Sequence, residues 1–142
     1  MKLKIKRFDE TLPLPEYKTD KAAALDLYAR VDVAISPGKI GYVPLNIALE
    51  LPENYWALLA ARSSLHKRGL MMANGIGVGD EDYCGDNDEY RAVLFNFTDQ
   101  EVTVKKGERI VQLIILSREK VEVEGVIELN NNDRGGFGST GI

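Results

Sequence analysis

The sequence has a single cysteine, Cys84, and a single histidine, His66. A lone thiol cannot close an internal disulfide, and the two residues cannot assemble a thiolate or imidazole metal centre, so any metal would be held by oxygen. No apolar run approaches the roughly eighteen residues that a membrane-spanning helix requires. The opening MKLKIKRFDE alternates charge with aliphatic side chains where a secretory leader would carry a continuous greasy stretch, so the chain reads as cytoplasmic. A basic excess is missing as well. Lys+Arg 18 against Asp+Glu 22 leaves a net charge of −4, which argues against a general nucleic-acid binder, because that task needs cations to displace counterions from phosphates. A small anionic ligand stays open where cations are placed locally.

What is present points to one all-β domain. The 142 residues are 44 % apolar, enough for one compact core and too few for two domains. Segments 2–6 and 102–106 alternate with period two. Segments 31–35, 42–51, 55–61, 91–97, 109–116 and 121–127 are β-branched or aromatic-rich runs bounded by turn residues, and all eight are expected to be strands. Many short strands at close spacing imply a sandwich, jelly roll or barrel. The one helical candidate is SSLHKRG (63–69), a short turn that the serines could cap and Gly69 could end. From about Asn130 the chain becomes a low-complexity tail, giving a division into a barrel domain, 1–129, and a flexible Gly-rich tail, 130–142.

Three segments carry polar or glycine-rich chemistry that packing alone does not call for. ARSSLHKRGL (61–70) sets Arg62, Ser63 and Ser64 at the start of a helical turn, where unpaired N–H groups favour a phosphate; capping of a surface turn is the competing reading. ANGIGVGDEDYCGDNDEY (73–90) has six carboxylates between Asp80 and Glu89 after a glycine-studded apolar run. Most of these acids read as a solvated loop. Asp80 differs, because at the junction of an apolar strand and a polar turn a carboxylate can be fixed, partly shielded and used to take a proton from water. The tail, NNNDRGGFGSTGI, matches G-x-G-x-x-G, but only Ile142 follows Gly141, and the dinucleotide motif works between a strand and a helix. There remain Arg134, Ser139 and Thr140 for phosphate oxygens and Phe137 for stacking, against the reading of plain disorder.

These segments resemble the five motifs of the trimeric dUTPases (deoxyuridine triphosphate nucleotidohydrolases), in order: AAALDLYA (22–29), ARSSLHKRGL (61–70), NGIGVGDEDYCG (74–85), GERIVQLI (107–114) and RGGFGSTG (134–141). The resemblance implies a jelly-roll β-barrel, a homotrimer with sites at the subunit interfaces, and exchange of the C-terminal tail. It implies that Asp80 activates water for attack on the α-phosphorus of dUTP, and that Tyr83 lies against the deoxyribose. Asn74 and the hairpin backbone at Gly77 would read the uracil. Arg62, Ser63, Ser64 and Gln112 would hold the α- and β-phosphates, and Arg134, Ser139 and Thr140 the γ-phosphate, with Phe137 stacked on the base and Gly138 beside it among the substrate-binding residues. Asp26 would support the metal and phosphate end. Mg²⁺ is the implied cofactor, since a triphosphate of about four negative charges needs a hard cation; it would be held through the nucleotide and waters rather than by direct protein ligands.

Two other readings share this pattern. The deoxycytidine triphosphate deaminases have the same fold and an R-S-S-L-like segment but end differently, and a non-catalytic nucleotide-sensing trimer could regulate a partner. Gly79 bears on the second, because most dUTPases carry an aliphatic residue, usually Ile, before the catalytic acid. A glycine there is expected to loosen the strand that aims Asp80.

Overall fold

The computed structural model describes residues 1–136. Eleven strands form among them: β1 (Lys4–Arg7), β2 (Leu25–Tyr28), β3 (Val33–Ile35), β4 (Ile40–Pro44), β5 (Ile47–Glu50), β6 (Tyr55–Ala61), β7 (Leu70–Met72), β8 (Gly77–Gly79), β9 (Arg91–Asn96), β10 (Val102–Val104) and β11 (Arg109–Ser117). All pair antiparallel. A four-stranded sheet runs β2-β11-β6-β8, a three-stranded sheet β4-β9-β7, and two-stranded ribbons β1-β5 and β10-β3 complete a jelly roll. No helix among the described residues is long and apolar enough to cross a membrane.

Alternation makes the core. Along β9, Ala92, Leu94 and Asn96 turn inward while Arg91, Val93 and Phe95 stay more open, the period-two pattern of a strand with one buried face. Leu94 belongs with Leu27, Val43, Leu59, Val111 and Leu113 to one apolar cluster. β2 is buried along its whole length. Asp26, in the middle of it, is therefore a carboxylate taken out of water that requires partners.

Three expectations change. The run 42–51 is two strands, because Asn46 adopts φ 68° and turns the chain from β4 into β5. Asparagine tolerates this left-handed conformation. Its amide is locked in place: Oδ1 accepts from the Asp9 N–H at 2.6 Å and Nδ2 donates to the Asp9 carbonyl at 3.0 Å. The segment 121–127 is not a strand; it lies exposed without secondary structure, because its alternating valines find no sheet edge among the described residues. In the turn after β6, a 3₁₀ helix spans Leu65–Arg68. Gly69 ends it at φ 74°, but Ser64 makes no side-chain cap bond.

Candidate active site

β7 and β8 are consecutive, yet each closes the edge of a different sheet. The chain passes between them through residues 73–76, where Gly75 takes φ 72° and its N–H donates to the Met72 carbonyl at 3.1 Å. Where the two edges part lies a cavity of about 390 Å³, lined by Tyr42, Leu59, Asn74, Gly77, Tyr83 and Tyr90 among others. Rings, aliphatic side chains and glycine backbone with a few polar groups make a slot suited to a flat, partly polar ligand.

Asp80 follows β8 directly. Its carbonyl accepts from the Tyr83 N–H at 3.1 Å, closing a turn that sets the acid and the ring on either side of one bend. The Asp80 side chain is exposed rather than partly shielded, because the strand alternation that buries Gly79 turns the next residue outward. It lines a neighbouring cavity of about 440 Å³ with Glu81, Asp82, Arg118 and Lys120.

Several of the other acids are structural, not idle. Glu89 is buried and takes a two-pronged bond from Arg30, at 2.7 and 2.9 Å, and a third from the Asn46 N–H at 3.0 Å. That pairing holds the Arg30 guanidinium above its ordinary pKa. Glu81 accepts from Arg118 at 2.6 Å and from the Asn54 N–H at 3.1 Å. The loop bearing Asp80 and Tyr83 is thus fastened at both ends, and the Tyr83 hydroxyl adds a bond to the Glu89 carbonyl at 3.1 Å.

Gly79 does not leave a loose strand. It pairs with Ala57 in β6, and the space beside it is filled by Tyr90. A Cβ at position 79 would lie 2.7 Å from Tyr90 Cε1, 2.9 Å from Cζ and closer still to the hydroxyl. Glycine is required there by the ring it faces.

The second cluster centres on Asp26. Arg62 places Nε 3.1 Å from one of its oxygens, and Arg109 donates from Nη1 to the other at 3.0 Å. Arg62 also donates from Nη1 to the Arg109 carbonyl at 3.0 Å. The register of β11 on β2 shifts between Arg109 and Val111, the kind of bulge that re-aims a side chain. Gln112, paired in register with Asp26, donates from Nε2 to the Ala61 carbonyl at 3.0 Å. A cavity of about 440 Å³ beside this cluster is lined by Arg62, Ser64, Lys67, Arg68, Glu108 and Arg109. Ser63 and His66 are exposed nearby. Arg109 and Arg68 escape a sequence reading, since an arginine at a strand start or in a turn looks like ordinary surface charge.

The two clusters line separate cavities within one chain. Arg134 is exposed on a stretch without strand or helix, and Phe137, Gly138, Ser139 and Thr140 lie outside the described residues.

A family model described as dUTPase matches residues 10–141. The chain belongs to the dUTPase family. The deoxyuridine 5'-triphosphate nucleotidohydrolase of Hydrogenobaculum sp. is 44 % identical over 146 residues, covering 100 % of this chain and 99 % of that one. The crystal structure of the dUTPase from Streptococcus mutans is 32 % identical with a TM-score of 0.78, covering 84 % of this chain and 98 % of its own. A Staphylococcus bacteriophage 80alpha dUTPase, the G164S mutant with dUpNHpp, shares the fold at 22 % identity and TM-score 0.86, with 99 % of each chain covered.

Proposed function

We infer that this dUTPase-family protein hydrolyses dUTP to dUMP and pyrophosphate, with Asp80 as the base. Family membership across residues 10–141 carries the reading. Asp80 takes a proton from water, the water oxygen forms a bond to the α-phosphorus, and the bond from that phosphorus to the bridging oxygen breaks in line, releasing pyrophosphate. An exposed carboxylate at the end of a strand pinned to β6 has the freedom from other partners that a base requires. Tyr83 faces the deoxyribose and leaves no room for a 2′-hydroxyl, while Asn74 and the backbone at Gly77 pair with the uracil edge. A wrong base would leave those polar groups unpaired, which is the costly mismatch.

Arg62, Ser63, Ser64 and Gln112 hold the α- and β-phosphates. Arg134, Ser139 and Thr140 hold the γ-phosphate, and Phe137 covers the base, with Gly138 beside it among the substrate-binding residues. Among the described residues no group of three His, Cys, Asp or Glu could hold a metal, and both oxygens of Asp26 are engaged by arginines. Mg²⁺ would be held through the triphosphate oxygens and waters, with Asp26 supporting that end of the site. When bound, such an ion would supply charge neutralisation to the leaving pyrophosphate.

A homotrimer brings the halves together. The nucleoside cavity and the arginine cluster are apart in one chain, and Val121, Val123, Ile127 and Leu129 stand exposed on a segment that a neighbouring barrel could receive. In this reading residues 130–142 close the site from another subunit, in the cytoplasm. Incubation of the purified protein with each deoxynucleoside triphosphate and Mg²⁺ should release pyrophosphate from dUTP far faster than from dCTP or dTTP. No release from dUTP would overturn the reading. Truncation after Asp133 should leave dUMP binding intact and remove most dUTP hydrolysis; wild-type turnover in the shortened chain would remove the tail from the mechanism.

A further inference from the structure

Tyr90 is 4 % exposed, yet its hydroxyl has no hydrogen-bond partner among the described residues. Burying a hydroxyl unpaired is costly, and a phenylalanine would fill the same volume without that cost. Its position makes the anomaly informative. Tyr90 lines the cavity between the two sheet edges, together with Asn74, Gly77 and Tyr83. The ring meets Tyr83 edge-on, at 5.4 Å between centroids and 69° between planes. Its backbone is fixed on both sides: the N–H donates to the Ile47 carbonyl at 2.9 Å and the carbonyl accepts from the Leu45 N–H at 2.9 Å. The hydroxyl lies under Gly79, in the space any side chain there would occupy.

We propose that the Tyr90 hydroxyl is a further specificity-determining group of this site, donating a hydrogen bond to an oxygen of the nucleoside, and that Gly79 is glycine so that it can reach. The nucleoside identity rests on the dUTP reading above. The hydroxyl is buried against Gly79, which precedes Asp80, while the ring meets Tyr83, the residue assigned to the deoxyribose, and lines the slot assigned to the base; the ring therefore has to shift toward the ligand for the bond to form. Burial pushes the phenol up to about 12, so it is a neutral donor throughout the pH range of the reaction. The bond is made when the slot fills, which converts a penalty in the free protein into affinity in the complex.

Tyr90→Phe removes the oxygen and keeps the ring. The free variant should melt at or above the wild-type temperature, since what is deleted is unpaired. Its affinity for dUMP, measured by calorimetric titration, should fall about three- to tenfold, as loss of one neutral hydrogen bond entails. KM for dUTP should rise by a similar factor with kcat little changed, the signature of uniform binding. Pyrophosphate affinity should not move. Titration with 2′,3′-dideoxyuridine monophosphate separates the two acceptors: equal binding by both proteins assigns the bond to the sugar 3′-oxygen, and a persisting deficit assigns it to the base. Wild-type dUMP affinity in Tyr90→Phe overturns the proposal, and so does a lower melting temperature with unchanged affinity, which would mean the hydroxyl is satisfied without nucleotide. Failure of the wild-type protein itself to bind dUMP would instead sink the functional reading.

Discussion

Around the cavity lined by Asn74, Tyr83 and Tyr90, side chains are held by packing and by backbone bonds, whereas at Asp26 they are held by charge. The first region is made of rings, glycines and two diverging sheet edges, so its shape survives changes in salt. In the second, one buried carboxylate keeps two guanidiniums together that would otherwise repel each other. Asp26 already offsets one of the two positive charges, so the cluster presents a moderate rather than a maximal field. The difference teaches that one chain can build two neighbouring polar surfaces by different means: a slot shaped by packing, and a cluster of one acid and two arginines whose net charge stays at about one positive unit.

Three changes sharpen that contrast. The largest concerns neither region but the proposed base beside the first: Asp80→Asn should lower turnover by about 100-fold or more while nucleotide binding persists, since an amide still hydrogen-bonds but cannot take a proton. Single-turnover kinetics with a binding titration would separate the two effects, and near-wild-type turnover would move the base to another residue. Next comes Asp26→Asn, which leaves two arginines without their shared counter-charge. A loss of about 2 kcal/mol in urea unfolding is expected, below the figure for fully buried pairs because both arginines are partly solvated. Unchanged stability would mean the guanidiniums find water as good a partner. The smallest effect is at high pH. The Tyr90 phenol titrates at about 12 in the fold against 10.0 when unperturbed, so the folded state holds its proton longer and stability falls as pH rises from about 10 to 12. Tyr90→Phe should flatten that part of the stability curve, and identical slopes would show that the phenol is as solvated in the fold as outside it.

Strands rich in β-branched and aromatic residues, such as β6, β9 and β11, are legible in the sequence because their composition and length agree. Leu25–Tyr28 and Leu70–Met72 are not: they become strands only because long-range neighbours pair with them. The reverse holds for 121–127, where alternation is present but an edge to pair with is not, and alternation by itself forms no sheet. At the site, a sequence can rank Asp80 and Arg62 as unusual by their neighbours. It cannot reveal that Glu89 is a buried anchor, that Arg109 turns onto Asp26, or that Gly79 is shaped by a ring eleven residues later. Each of these depends on a contact between elements that lie apart along the chain.

The order β2-β11-β6-β8 has a consequence for how the protein comes into being. The strand that joins β2 to β6 is the last strand among the described residues, pairing with residues 25–28 on one side and 55–61 on the other. During synthesis those earlier strands have no shared partner until residues 109–117 have emerged. Pairing over such separations is slow and leaves apolar edges open in the meantime. A product cut short before Arg109 would lack the middle of its largest sheet, and neither half of that sheet could compensate.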